Sequence, residues 1–407
     1  MKAPKLMARC GSGSAMPVDA DEALRRATLV RSDPSLRGVT RRNAATEEGE
    51  VAWEYLAPDG ELIDEQDRID RWNALGLPPA WVDVWICPNP RGHIQATGRD
   101  GKGRLQYRYH PDWTEITTEM KYDDVAYFAS QLPRLRKQVA MDLEESTMNL
   151  NTVSALVVRL MDLYSIRVGS DEYARSNESY GLTTLKSMHV KHIKGEMAEG
   201  RHDAVFTFTG KSGKDWDITI EDDDLVDLIL RTNRLGAKDA DLFMYISEAG
   251  NEVDLKAEHI NQYIRETSGE GFTAKNFRTW AATSRCAERL AFLAVNRTAS
   301  AMKAWVKELP EVESMTKVWS KGPWKTPTTE TGRNKVMLAV IDTVAANLGN
   351  TRAVCRSSYI HPWFLEAWME GRLAEAWAEV EGQRSFANMS AGESATLRIL
   401  KSVVQGR

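Results

Sequence analysis

Cysteine is scarce in this chain: there are four in 407 residues, Cys10, Cys87, Cys286 and Cys355, far apart and with no CxxC pair. That excludes a disulfide framework and a thiolate zinc cluster, and it points to a reducing, cytoplasmic setting. Long apolar runs are missing too. No segment approaches the roughly 20 residues that a membrane span needs, and the N-terminal MKAPKLMARCGSGSAMPVDADE is polar where a signal peptide would be apolar. No eight-residue phosphate-cradling loop occurs, because GKSGK (210–214) lacks the spacing. The seven histidines show no HExxH-like spacing, and no paired-carboxylate magnesium signature appears. The chain is therefore expected to work with no cofactor, no metal and no nucleotide.

Positive charge is also in deficit, with 53 Lys and Arg against 58 Asp and Glu and a net charge of -5. Taken alone, this argues against a polyanionic partner, since phosphate binding is driven by Lys and Arg displacing counterions. A DNA-binding protein of this composition must cluster its basic residues on one surface and its acidic ones elsewhere.

What is present is the composition of an ordinary folded protein, 42% hydrophobic and 27% charged, long enough for two or three domains. Residues 1–21 read as a disordered leader and 22–115 as a small β-rich domain. Within the latter, VAWEYLAPDGEL has the look of a hairpin around a Pro-Asp-Gly turn, and VDVWI, HIQAT and RLQYRY read as strands separated by PNPRG and RDGKG. Apolar spacing becomes helical from Asp123 to about Asp142 and again over 150–169. A mainly helical domain is expected over 120–370, with helices near 221–236, 255–268, 275–307 and 333–348. One β-hairpin interrupts it, VFTF and DWDITI around GKSGK (205–220). The fold class is therefore α+β. The tail 371–407 carries two apolar-periodic pieces and could pack on the helical domain or on a partner.

Phosphodiester transfer without a metal needs a nucleophile, cations for the non-bridging oxygens and an acid for the leaving alkoxide. The chain offers all three. Arg167 lies in YSIRVGSDEY and Arg278 in FTAKNFRTWAATS, and a guanidinium fork matches phosphate oxygens without losing its charge. Lys211 and Lys214 sit at the hairpin tip, where an ammonium can reach a DNA backbone, although a solubilising turn reads the same way. Tyr359 lies in NTRAVCRSSYIHP, and a phenol attacks phosphate only when cations stabilise its phenolate or a base takes its proton. His361 reads as structural, and the acidic EDDDLVDL (221–228) as a favourable helix start.

Five segments together resemble the type IB DNA topoisomerases of bacteria and poxviruses, most closely the bacterial branch: LPPAWVDVWICPNPRGHIQATGRDGKGRLQYRYH, IRVGSDEYARSNESYGLTTL, FTGKSGK, FTAKNFRTWAAT and LGNTRAVCRSSYIHP. The resemblance covers about 22–370. It implies a β-rich clamp domain followed by a helical catalytic domain related to the tyrosine recombinases. It further implies a nucleoid-associated monomer acting on double-stranded DNA. Tyr359 would form a 3′-phosphotyrosyl link, Arg167 and Arg278 would stabilise the transition state, and Lys211 would protonate the leaving 5′-oxygen. The family usually has histidine nine residues before the tyrosine; here that residue is Asn350, which can donate a hydrogen bond but cannot titrate. Lys275 and Tyr173 match further family positions near the DNA.

In the N-terminal domain, Arg99, Lys102, Arg104, Gln106, Tyr107, Arg108 and Tyr109 form a basic and aromatic segment. Strand alternation predicts Arg104, Gln106 and Arg108 on a DNA-facing side, with Tyr107 and Tyr109 packed behind. Two other readings share some of these residues. A tyrosine recombinase would carry HxxR where this chain has Lys275-Asn276-Phe277-Arg278, and a catalytically inactive clamp would keep DNA binding alone.

Overall fold

The structure is a computed structural model that describes residues 19–45, 51–194, 202–236, 240–269, 271–319 and 321–405. The chain divides into two compact units, one over Ala15–Asp123 and one whose main part is Asp124–Arg407.

The N-terminal unit begins with α1 (Ala20–Ala27), capped by Asp19, whose carboxylate accepts from the amides of Asp21 and Glu22. Helix therefore starts inside the stretch expected to be a disordered leader; of that leader, residues 1–18 lie outside the described residues. Strands β1 (Thr40–Ala45) and β2 (Val51–Leu56) pair antiparallel, Arg41 opposite Tyr55. The Pro-Asp-Gly turn does form, but the strand VAWEYL finds its partner upstream, and beyond the turn only Leu56 and Leu62 bridge. After α2 (Gln66–Ala74) come β3 (Val82–Ile86), β4 (Ile94–Arg99) and β5 (Leu105–Tyr109), an antiparallel sheet in that order with β5 at its edge. Val39, Tyr55, Trp72, Val84, Ile86 and Ala96 form the core beneath. Burying one ring the size of Trp72 withdraws roughly 200 Å² of apolar surface and contributes about 5 kcal/mol as an upper figure.

Helix α3 (Pro111–Leu143) runs across the division between the units and starts twelve residues before the expected Asp123. Its first turns, PDWTEITTEM, are rich in threonine, which obscures helical periodicity. Proline suits the opening position, and Thr114, Thr117 and Thr118 donate their hydroxyls back to the carbonyls of His110, Trp113 and Thr114.

The second unit is built around two buried helices. The first is α4 (Leu150–Tyr164), with Val153 to Val158 all buried. It is followed by α5 (Asp171–Asn177) and an antiparallel sheet of β6 (Val190–Lys194), β7 (His202–Gly210) and β8 (Lys214–Ile220). In the β7–β8 hairpin Gly210 pairs with Lys214 and Phe208 with Trp216. Next come α6 (Asp223–Asn233), capped by the Asp222 carboxylate, the short pair β9 (Met244–Ile246) and β10 (Glu252–Asp254), and α7 (Ala257–Ser268).

The second buried helix, α8 (Ala274–Leu293), lies against α4 and α7 and against four of the later helices. The helix expected over 275–307 is in fact two, α8 and α9 (Ala299–Lys307). Thr298 caps α9 by accepting from the Ala301 amide, and Arg297 bridges to Trp324, so the chain turns where periodicity alone runs on. The remaining helices are α10 (Glu313–Val318), α11 (Glu330–Leu348), α12 (Arg352–Ser358), α13 (Pro362–Glu370), α14 (Leu373–Ala378) and α15 (Ala391–Gln405).

The C-terminal tail belongs to this second unit. Helices α14 and α15 lie on α8, the Trp280 indole donates to Glu393 at 2.9 Å, and Arg136 forks between Asp162 and Glu393. No helix among the described residues is long and apolar enough to cross a membrane.

Candidate active site

Three regions distant in sequence, around Arg167, Arg278 and Asn350 to Tyr359, meet at the site. Helix α4 ends at Ser165, whose left-handed backbone (φ 56°) turns the chain so that Arg167 follows it into the open. The Arg167 carbonyl is pinned by the Leu182 amide at 2.9 Å. Arg278 projects from the first turns of α8 and is 5% exposed. Its two terminal nitrogens donate to the carbonyls that end α4 and α11, those of Ser165 and Leu348. Both of these carbonyls are left over at helix C-termini, where partial negative charge gathers, so a cation there satisfies them twice over. Asn350 follows α11 and accepts from Arg167 through Oδ1 at 2.6 Å.

Tyr359 closes α12. Its amide donates to the Cys355 carbonyl and its own carbonyl accepts from Thr283 Oγ1 at 3.0 Å, while the same hydroxyl accepts from the His361 amide at 3.1 Å. Thr283 is fully buried on α8. One helix therefore carries both the arginine and the tether for the tyrosine. The Arg278 guanidinium carbon lies 5.4 Å from the centroid of the Tyr359 ring.

This arrangement alters the acidity of the groups in it. Burial alone would raise the Tyr359 phenol, but the charges of Arg278, Arg167 and Lys275 outweigh it and hold the phenol below a tyrosine's ordinary value. Burial first and the neighbouring Arg167 second pull Arg278 down to about 10, which leaves it a cation at neutral pH. Two buried donors, Arg278 Nε and Asn350 Nδ2, have no hydrogen-bond partner among the described residues. Buried donors are rarely left unpaired, because doing so costs about 1–3 kcal/mol each. Donors of this kind beside a phenol suit an incoming anionic oxygen.

The structure thus brings together Arg167, Arg278, Asn350 and Tyr359, with the exposed Lys275 near enough for its charge to bear on the phenol. Lys211 and Lys214 are both exposed at the hairpin end, and Lys214 lies near enough to Arg167 to feel its charge. Burial and that arginine's charge lower the Lys214 ammonium, and its Nζ lies 3.5 Å from the Ala346 carbonyl. Lys214 and Asn350 line the same open cleft, together with Ser314, Asp342 and Arg352. The side chain of Tyr173 lies outside the described residues. His361 is buried and caps α13 by accepting from the Trp363 amide, a structural role.

In the N-terminal unit the expected packing of the tyrosines does not occur. Tyr107 and Tyr109 are 45% and 42% exposed and stack on one another at 5.8 Å on the edge strand β5. On the other side, Asp100 gathers Arg104 and the Gln106 amide, and it holds the Lys102 amide in the turn. Arg108 donates to the Gly76 carbonyl and Arg99 to that of Gly103. These polar side chains are ordered by their own sheet and turn.

Sequence reasoning missed Thr283 and the two carbonyls that hold Arg278. A threonine inside a helix and a helix-ending carbonyl carry no local signal.

Residues 112–373 match the family described as eukaryotic DNA topoisomerase I, catalytic core, and residues 52–100 match the bacterial DNA topoisomerase IB N-terminal domain. The chain is also similar to DNA topoisomerase 1B of Acanthamoeba polyphaga mimivirus, 36% identical over 232 residues. That alignment spans 56% of this chain and 66% of the viral protein, just under two thirds of its length.

Proposed function

Since the chain belongs to the DNA topoisomerase I family, matching its catalytic core across 112–373, we propose that it is a type IB enzyme that relaxes supercoiled duplex DNA by cutting and resealing one strand. The observation that carries this is the pair of buried donors on Arg278 and Asn350 that have no partner among the described residues, beside a phenol made more acidic by three cations.

Tyr359 Oη attacks the scissile phosphorus. The Oη–P bond forms as the P–O5′ bond breaks, the phenolic proton passes to water and the leaving 5′-oxygen takes a proton from Lys211. Arg167, Arg278 and the Asn350 amide donate to the non-bridging oxygens as charge builds on them. Each such donor typically contributes about 10²–10³ in rate. One phosphodiester is exchanged for another, so bond energy is conserved in the 3′-phosphotyrosine and resealing is the same step reversed. Neither nucleotide hydrolysis nor a metal is required by that balance. Rotation of the free strand between the two steps releases supercoils. Arg99, Lys102, Arg104, Arg108, Gln106, Tyr107 and Tyr109 supply DNA contacts from the N-terminal unit, with phosphate contacts setting position and Gln106 able to read a base edge.

The test is relaxation of a supercoiled plasmid in EDTA without ATP, comparing the intact protein with Tyr359→Phe. Relaxation and a denaturant-trapped covalent adduct are expected only from the intact protein. DNA binding without an adduct would instead mark a non-catalytic clamp, and an adduct formed only at paired specific sites would mark a recombinase.

A further inference from the structure

Resting on the reading above, we infer that Trp216 is a positioning residue that docks the lysine-bearing β7–β8 hairpin onto the turn carrying Asn350, and so sets how closely the hairpin ammonium groups approach the leaving oxygen.

The indole sits between two glycines. At Gly210, at the end of β7, an added Cβ would fall 2.6 Å from Trp216 Nε1. At Gly349 an added Cβ would overlap the six-membered ring of the same indole. Gly349 ends α11 with a left-handed backbone (φ 61°), its amide donating to the Ala346 carbonyl and that of Asn350 to Ala345. The helix end is thus bare of side chain where the tryptophan lies on it, and Asn350 is the next residue. Phe208 stacks parallel to the indole at 6.2 Å from within the hairpin. On the same strand, Lys214 lies 5.5 Å from the indole centroid and reaches the Ala346 carbonyl, one helical turn before Asn350.

The turn itself is secured without the tryptophan. Asn350 is tied to Arg167, and Arg352 forks onto Asp342 of α11. The hairpin end is held by single hydrogen bonds beside the indole: the Tyr180 amide on the Thr209 carbonyl, the Ser179 hydroxyl on that of Gly210 and the Lys214 ammonium on that of Ala346. Loss of the indole should therefore release the hairpin and leave the phosphate-binding donors in place.

That asymmetry separates proton donation from transition-state charge stabilisation. A duplex with sulfur in place of the bridging 5′-oxygen expels a thiolate, which leaves without a proton. Single-turnover adduct formation should be measured on oxygen and 5′-sulfur duplexes for the intact protein, Trp216→Ala and Trp216→Phe, with thermal melts to confirm folding. Trp216→Ala should slow cleavage of the oxygen duplex at least tenfold and that of the sulfur duplex less than threefold, and Trp216→Phe should recover most of the loss. Equal slowing on both duplexes, or none on either, would overturn the inference while leaving the enzyme assignment intact. Absence of adduct from the intact protein would sink the parent reading and this one with it.

Discussion

Thr283→Val tests whether the nucleophile is held by the helix that carries Arg278. Valine matches threonine in shape but removes the hydroxyl that donates to the Tyr359 carbonyl at 3.0 Å and accepts from the His361 amide at 3.1 Å. Thr283 is fully buried and its bond from the His361 amide is sealed from water, while that to the Tyr359 carbonyl is part-buried. Each backbone group left unpaired costs about 1–3 kcal/mol, giving roughly 2–6 kcal/mol for the two. For a unit of this size that corresponds to a fall in Tm of about 5–15 °C. The kinetic effect should exceed what stability alone explains, since a nucleophile displaced by about 1 Å loses on the order of 10² in rate. Adduct formation on a short duplex, measured well below the melting range, should fall by about that factor, and Thr283→Ser should restore it. A Thr283→Val protein that melts early yet cleaves at the normal rate would refute the reasoning, because the tether would then serve the fold alone.

Further outcomes follow from the same geometry. The cleavage rate should climb with pH about tenfold per unit while the phenol is protonated and level off at the Tyr359 pKa, which lies below the ordinary tyrosine value. Lys275→Ala removes one of the cations that lower it, so the break in the profile should move to higher pH; an unmoved break would separate Lys275 from the phenol. Asn350→Ala should lower cleavage by about 10²–10³, since it deletes a phosphate donor and the acceptor that orients Arg167. Asn350→His should retain much of the rate and add a titration near pH ~6.5 that the natural chain lacks. At Glu393, burial alone would raise the carboxyl, but Arg136 and further hydrogen bonds hold it below its ordinary value of 4.5. With the folded value below the unfolded one, its stabilisation is complete above about pH 4.5 and is lost as pH falls through the folded value. Glu393→Gln should therefore melt well below the natural chain at pH 7, by a buried-pair cost of about 3–5 kcal/mol. The two melting curves should converge in acid, and a gap that persists at low pH would refute the linkage.

Arg167, Arg278 and Tyr359 could be singled out only through the resemblance of the short segments around them to a known family, since none of the three is remarkable alone, and the structure brings them together. Strands around PNPRG and GKSGK were plain, since glycine and proline turns and two-residue alternation are local properties. The errors share a cause. Threonines hid the start of α3 because their helical compatibility depends on hydroxyls bonding back to the preceding turn. Tyr107 and Tyr109 were assigned a packed face because alternation tells which residues share a side, while only the tertiary packing tells whether anything covers that side.

The sequence by itself supplied the candidates for the site, Arg167, the hairpin lysines, Arg278, Asn350 and Tyr359, in that order along the chain. Only the tertiary structure decided that Arg278 spans the ends of α4 and α11, that Thr283 grips the backbone of Tyr359, and that Arg167 comes near enough to Lys214 to lower its ammonium. The physical reason is range: propensity and periodicity act over a few residues, whereas unsatisfied carbonyls and buried charges find partners 70 to 183 residues away, once packing has expelled the water that would have served instead.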